Sequence, residues 1–400
     1  MKKTVRKLLG KIMLIYGYSP YFADRVVKMR FDDFFRNKDT TLKQKIWAQR
    51  RGFFSDKIAF YGLTNENYRD YLSDFDYLKL HPINREYSQW IDDKLTMKYL
   101  LQPFAEFLPL YYYHICNQEI LRLIDCPDGY GQSIKDIINL LKARQFLAAK
   151  KFAGSAGEGF IKLNFIDNIY LINNQISSES QVINMIDNWM QFKYGGYLIT
   201  EYLHANDYLR NIWPDTSDTL RVTIARNYNQ PTEIISALIR FGTKNTSVID
   251  NALSGGVFCK VDVDTGAFAN GKILKDGKIM ECKYHPDTNA KVEGFVPYWD
   301  LVIEKVTEIC SYIPQVRYMG IDVIIVSDGL KVIEMNSHPN IEFIQYDCPA
   351  YKNELAKHFY LKLVEEKEEQ QENRKNNGLI RRFIRFSKEV SNRSITTLQN

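Results

Sequence analysis

The stretch GIDVIIVSDGLKVIEMN, residues 320–336, constrains this chain more than any other. Two runs rich in Val and Ile flank Ser327, Asp328 and Gly329, the pattern of two antiparallel strands joined by a tight turn in which Gly329 is free to take a positive φ. A three-residue loop over 327–329 pairs Val326 with Leu330, and counting outward sets Asp322 opposite Glu334. Cross-strand partners share a face a few ångströms apart, and alternation puts Glu334 and Asn336 on one side of their strand. Two carboxylates and an amide oxygen thus converge on an otherwise aliphatic ribbon. Their mutual repulsion and desolvation are relieved if a hard cation sits among them. Magnesium keeps several waters and completes its shell with phosphate oxygens, so the cluster predicts a nucleoside triphosphate beside it. The plain alternative is a solvent-facing edge hairpin, for which E-x-N between apolar residues is an uncommon wet face.

A second feature is FLAAKKFAGSAGEGFIKLNFI, residues 146–166: an apolar run, a glycine-rich turn and another apolar run. It reads as strand, loop and strand. No helix follows the glycines, and Phe160 stands where a P-loop spaced from Gly154 and Gly159 would need lysine, so Walker-type chemistry is excluded. Backbone N–H groups in such a turn can approach phosphates closely, and Lys150 can neutralise their charge. The spacing alone does not separate Lys150 from Lys151, and by itself the loop is equally consistent with a flexible turn.

Composition bounds the rest. In 400 residues, 45% are hydrophobic and 25% charged, which describes a globular chain large enough for more than one subdomain around a cleft. A net charge of +5 with no nucleic-acid-binding signature argues against a nucleic-acid partner. The six cysteines form no C-x-x-C pair, so neither zinc nor a disulfide framework is indicated and a reducing, cytoplasmic setting fits. The opening MKKTVRKLLGKIMLIYGYSP begins like a secretion signal, but Lys11 splits its apolar core and no small-residue cleavage site follows. No other stretch approaches the roughly 20 apolar residues of a spanning helix.

Along the chain, residues 1–90 read as a mainly helical accessory region and residues 91–362 as an α+β domain. After about Val364 the text becomes EEKEEQQENRKNNG, which reads as a solvated linker. Beyond it Leu379, Phe383, Phe386 and Val390 recur at helical spacing opposite Arg381, Arg382, Arg385 and Lys388, a basic amphipathic helix. Together with Lys2, Lys3, Arg6 and Lys7 this predicts peripheral contact with an anionic membrane surface, the bland reading being two solvated tails.

Several motifs occur in order: DDK at 92–94, K-x(3)-GS-x-G-x-G from Lys150, TLRV at 219–222, VIDNALSGG at 248–256, HPDT at 285–288, VPYWD at 296–300, and GID followed by IEMN. In this order they resemble the ATP-grasp superfamily, and more narrowly its sugar-transfer-associated members encoded with bacterial surface-polysaccharide genes, over about 92–345. The resemblance implies an ATP-grasp fold, two α+β subdomains clamping ATP, with a lid hairpin at about 146–205 and a metal-binding sheet at about 206–345. It implies that Lys94 and Lys150 contact ATP phosphates, that Gly154, Ser155, Gly157 and Gly159 form the lid, and that Glu201 and Leu203 read adenine through backbone groups. Asp322, Glu334 and Asn336 match the magnesium ligands. Arg221 and Arg240 resemble the cations that hold an acyl phosphate or carboxylate, a task suited to the planar guanidinium; Asn251 is a further substrate-side candidate. Asn206 and Asp207 are both candidates for the ribose, and His285 reads as a turn residue as readily as a base. Ala156, Lys151 and Ile321 depart from residues common in the family, without removing a required charge.

The activity so implied is that of a carboxylate–amine ligase working through an acyl phosphate on a uronic acid or amino-acid component of capsule or O-antigen. A sugar phosphotransferase or a non-catalytic nucleotide-binding scaffold are the alternatives.

Overall fold

In the computed structural model, which describes residues 2–152 and 157–397 and the side chains of 5–152 and 157–378, the chain forms two units, 1–85 with 345–400 and 86–344. The first unit is helical. It begins with α1 (Lys2–Ile15) and α2 (Pro20–Arg36). Ser19 caps α2 by accepting from the Phe22 N–H at 3.2 Å, and Pro20 occupies the first turn, where its missing N–H is not needed. Phe22, Val26 and Val27 face inward at helical spacing and pack with Leu78, Phe75 and Met13. The Phe22 and Phe75 rings meet edge to face at 4.8 Å.

The same unit contains a helix of 44 residues, Glu354–Thr397. This corrects the linker expected over EEKEEQQENRKNNG after about Val364: its low apolar content limits what it can bury, but Glu, Gln, Lys and Arg are good helix formers. Ala356, Phe359, Tyr360 and Leu363 bury the first turns and seed the rest. Ion pairs such as Lys375–Glu372 at 3.6 Å, three residues apart, support its exposed face. The basic amphipathic segment expected at 379–390 lies in this helix, but its side chains fall outside the described residues. Among the described residues no helix is long and apolar enough to cross a membrane.

The second unit is α+β and carries two antiparallel sheets. The first has seven strands in the order β2-β1-β7-β3-β4-β5-β6: β1 Tyr111–Cys116, β2 Glu119–Arg122, β3 Phe146–Lys151, β4 Ile161–Ile166, β5 Ile169–Ile172, β6 Gln175–Ser177 and β7 Tyr197–Glu201. Helices Ile134–Arg144 and Glu179–Met190 cover it; Ile137, Leu141, Ile186 and Trp189 pack on Tyr113, Ile115, Leu147 and Leu163. The second sheet runs β13-β12-β10-β9-β8-β15-β16, with β11 and β14 beside β10. Its strands are β8 Thr219–Ala225, β9 Glu233–Phe241, β10 Val257–Val261, β11 Ala267–Phe268, β12 Lys272–Lys275, β13 Lys278–Glu281, β14 Gly294–Phe295, β15 Tyr318–Val326 and β16 Gly329–Asn336. One face buries Leu220, Val222, Ile239, Ile321, Val323, Leu330 and Val332 against Val302, Val306 and Ile309 of the helix Trp299–Tyr312. The other face is left for chemistry.

The β15–β16 hairpin corrects the expected turn. Val326 pairs with Gly329, so the loop has two residues, Ser327 and Asp328, and Gly329 takes φ 150°. Two-residue loops match the twist of antiparallel strands. A bulge between the pairs Asp322–Glu334 and Val323–Val332 leaves Ile333 as the extra residue, and Asp322 is opposite Glu334 after all. Its effect is on direction. Leu330 and Val332 point into the core; without the bulge Glu334 would follow them, and with it Met335 takes the core side while Glu334 and Asn336 face outward.

Candidate active site

The outward face of the second sheet and strands β3 and β7 of the first line a cleft of about 1020 Å³ including its open mouth. Strand alternation decides what enters it. From β3 come Ala148 and Lys150, two residues apart; from β8, Thr219 and Arg221; from β9, Arg240; from β15, Asp322 and Ile324; from β16, Glu334 and Asn336. Glu201 closes β7, with Tyr202 and Leu203 following, and Lys94 opens the helix Lys94–Leu100. The structure thus brings together Lys94, Lys150, Gly157, Glu201, Leu203, Arg221, Arg240, Asn251, Asp322, Glu334 and Asn336. Gly154 and Ser155 lie outside the described residues. Gly159 is not in the lining, but both it and Gly157 hold positive φ, 73° and 76°, which a side chain would strain.

Arg221 and Asp322 are cross-strand partners. Only 4% of Asp322 is exposed. Its carboxylate accepts from Arg221 Nε and, at 2.8 Å, from Arg221 Nη2, while Arg240 Nη2 lies 3.5 Å away. Burial alone would raise this carboxyl; Arg221 and then Arg240 outweigh burial and hold it below the ordinary carboxylate range. Burial opposes the Arg221 charge as well, but Asp322 prevails and the guanidinium is held more firmly protonated than usual. Arg240 also lies 3.7 Å from Asp250, and its Nε is a buried donor without a partner.

Lys94 Nζ sits 3.5 Å from Glu334 Oε1. The two residues before it are structural. Asp92 accepts from the Ser337 N–H at 2.7 Å and Oγ at 2.6 Å, fastening the end of β16 to the start of this helix, and Asp93 caps the helix at Thr96 N–H, 2.7 Å. The Lys150 ammonium is pushed down to about 8, first by loss of water and then by the Lys94 charge, with Glu334, Glu201 and Asp322 pulling the other way. Lys151, the next residue, also borders the cleft, but its Nζ pairs with Glu158 at 2.6 Å, which separates the two lysines.

At the first sheet's end of the cleft, Glu201 Oε1 accepts from the Leu110 N–H at 3.0 Å. The Leu203 carbonyl accepts from Ser217 Oγ at 2.9 Å and the Glu201 carbonyl from Thr200 Oγ1 at 3.1 Å, each keeping a second lone pair. Neither Asn206 nor Asp207 lines the cleft: Asn206 caps Tyr208 N–H at 3.0 Å and Asp207 pairs with Arg210 at 3.2 Å. His285 is buried, meets the Gly242 carbonyl at 2.7 Å and stacks on Trp213, so its role is structural. Sequence reasoning missed Asp250, which lines the cleft between Arg240 and the Thr219 N–H; its place before Asn251 in VIDNALSGG was the available signal.

Beyond Arg221 and Arg240 lies a second, smaller cavity of about 410 Å³ including its open mouth, shared with the cleft through these two arginines and Asn251. Thr223 and Ser236 bring hydroxyls to it, Asn340 an amide, and Leu238, Phe343 and Ile344 an apolar side.

Among the described residues, no three His, Cys, Asp or Glu side chains are grouped to hold a metal. The oxygen set of Asp322, Glu334 and Asn336 includes an amide, however, and it suits magnesium, which takes few protein ligands and fills its shell with water and phosphate. Arginine pairing leaves lone pairs on both Asp322 oxygens. The residues present fit the ion.

A family model described as sugar-transfer associated ATP-grasp matches residues 76–357. No curated protein matches. Among solved structures the chain is similar to N5-carboxyaminoimidazole ribonucleotide synthetase from Thermotoga maritima, at 13% identity and TM-score 0.32 over 63% of this chain and 43% of that one. It is similar to D-alanyl-alanine synthetase A from Vibrio cholerae O1 biovar eltor, at 12% and 0.41 over 70% and 66%. It is also similar to D-alanine–D-alanine ligase from Bacillus anthracis, at 13% and 0.36 over 72% and 69%. The chain spans less than two thirds of the length of the first two.

Proposed function

Because the chain belongs to the sugar-transfer associated ATP-grasp family, we propose that its cleft binds ATP with magnesium and converts a carboxylate into an acyl phosphate that an amine then displaces. The observation that carries this reading is the shared wall: Arg221 and Arg240 border the large cleft on one side and the small cavity on the other. Two cations at that boundary can hold the carboxylate of a substrate in the small cavity against the terminal phosphate in the cleft. On transfer the carboxylate charge passes to the departing ADP while the phosphoryl oxygens stay anionic, so the arginines keep a negative partner throughout.

Lys94 and Lys150 neutralise phosphate oxygens, and Glu201 and Leu203 offer backbone groups to the base. Ile324, Ile333 and Ala148 supply apolar surface for it. Asp322, Glu334 and Asn336 would hold magnesium, which supplies charge neutralisation to the phosphates when bound. No protein nucleophile is needed: a carboxylate oxygen attacks the terminal phosphorus, ADP departs, the amine attacks the acyl carbon, and phosphate leaves. The hydroxyl and amide walls of the small cavity suit an amino acid or a monosaccharide acid such as a uronic acid. Such a product belongs to surface-polysaccharide biosynthesis.

The test is trapping. Incubation with ATP, magnesium, hydroxylamine and a panel of amino acids and uronic acids should yield an acyl hydroxamate for the true acceptor, with one phosphate released for each hydroxamate. ATP consumption with phosphate retained on a sugar hydroxyl would refute the ligase reading in favour of phosphotransfer. Nucleotide binding without turnover on any acceptor would leave a scaffold.

A further inference from the structure

The first unit holds a surface that the catalytic reading does not use. Val5, Leu8, Ile12 and Ile15 of α1 recur at steps of three and four residues and so form one stripe, with Leu9 and Tyr16 beside it. An apolar stripe on a helix of a folded unit ordinarily packs inward. Here Leu8 is 58% exposed, Ile15 50% and Tyr16 59%, and Val5, Leu9 and Ile12 are exposed as well. Met13, at the edge of the stripe, reaches the core around Phe22 and anchors the helix. Arg6, Lys7 and Lys11 lie off the stripe, and α1 contains no acidic residue.

At the carboxyl end of α1 a groove opens, lined by Tyr18, Tyr21, Lys79, Arg85, Lys367 and Arg374 among others, and none of the described residues lining it is acidic. The groove is tied to the helix: Gln371 donates to the Tyr16 carbonyl at 3.0 Å and Arg374 to the Gly17 carbonyl at 3.3 Å. One carboxylate approaches it from the rim, Glu368, 3.4 Å from Lys79.

We propose that α1 lies in the interface of an anionic lipid bilayer, its Leu8–Ile12 stripe among the acyl chains and the cationic groove at its foot against headgroup phosphates. An apolar helix face flanked only by cations is complementary to such a surface, whereas a protein partner gives no reason for the exclusion of acid from both the helix and the groove. The stripe supplies the apolar contact and the cations the preference for negative charge. Lipid contact at α1 is independent of the reaction in the cleft.

The experiment is co-sedimentation of the full chain with vesicles of phosphatidylcholine alone and with about a third phosphatidylglycerol, at low and high salt. Binding to the anionic vesicles is expected, weakened by salt and weak on neutral ones. L8E/I12E should abolish it, and K7S/K11S should lower it about 30-fold, two surface cations each contributing about fivefold. R85S should narrow the preference for anionic over neutral vesicles. Unchanged ADP binding and thermal unfolding in L8E/I12E show that the fold is intact. Equal sedimentation of wild type and L8E/I12E overturns the proposal. So does a wild-type dimer, seen by light scattering, that ignores vesicles and dissociates on L8E/I12E, because the stripe is then an interface between copies of this chain.

Discussion

Lys150 offers the sharpest test of the cleft. Its ammonium is pushed down to about 8 from 10.5, so it is charged at pH 7 and mostly neutral at pH 9. If the charged form is the one that holds nucleotide phosphates, the apparent Kd for ADP without metal scales as 1 + 10^(pH − 8): about 1.1 at pH 7, about 2 at pH 8 and about 11 at pH 9. Bound phosphates pull the lysine back up, so binding above pH 8 takes up a proton. Calorimetric titration of ADP in a chelator, at these three pH values and in buffers of different ionisation enthalpy, measures both quantities. K150R stays charged throughout and should give a flat profile. K94M removes the second cause of the depression and should move the inflection upward. A flat wild-type profile, or a K150R profile with the wild-type slope, refutes the assignment of Lys150 to the phosphates.

The same lysine predicts that the fold gains stability between about pH 8 and 10.5: in that window the unfolded chain still binds the proton that the folded chain has released, and chemical unfolding across it gives the slope. R221M leaves the Asp322 carboxylate buried with Arg240 alone and should cost about 3–5 kcal/mol in denaturant unfolding. The double variant R221M/D322N should recover part of that loss; no recovery would mean the pair is not what the single variant breaks. E334Q and D322N should lose magnesium-dependent turnover while E334Q still binds ADP in chelator, and magnesium-dependent turnover retained in E334Q would exclude Glu334 as a ligand. D92N unfastens Ser337 from the Lys94 helix and should raise KM for ATP about tenfold with kcat less affected, as expected of a positioning residue.

The sequence made the site face of the hairpin legible because E-x-N and the aspartate of GID stand out against Val and Ile. It did not disclose how they meet. The expected three-residue loop and the observed two-residue loop with an added Ile333 give the same Asp322–Glu334 pairing, and pattern alone cannot separate them. Lys150 and Lys151 looked alike, and both border the cleft; what separates them, the loss of water at Lys150 beside Lys94 and the pairing of Lys151 with Glu158, arises only in the assembled fold. Asp92 was named as part of DDK, but its fastening role was not legible because its partner, Ser337, is 245 residues away. The linker was misjudged for a different reason: composition speaks of what a segment can bury, and the Glu354–Thr397 helix continues through residues that bury little because their backbone preference is helical. The second cavity had no sequence signature, since Thr223, Ser236 and Phe343 acquire a common neighbourhood only when the sheet is assembled.

In the β15–β16 ribbon a residue gained in the turn and a residue gained in the strand are interchangeable ways of reaching one outcome, because sidedness in a strand is a matter of odd and even. Were Ile333 drawn into a regular ladder instead of bulging, that parity would change: the Glu334 carboxylate would swing toward Val332 and the hydrophobic layer and Met335 would be offered to the cleft, although every side chain kept its identity. Deleting Ile333 would set Glu334 directly after Val332, opposite Asp322 and still outward. With a residue at 333, its place outside the pairing, rather than its identity, is what keeps the acid on the working side.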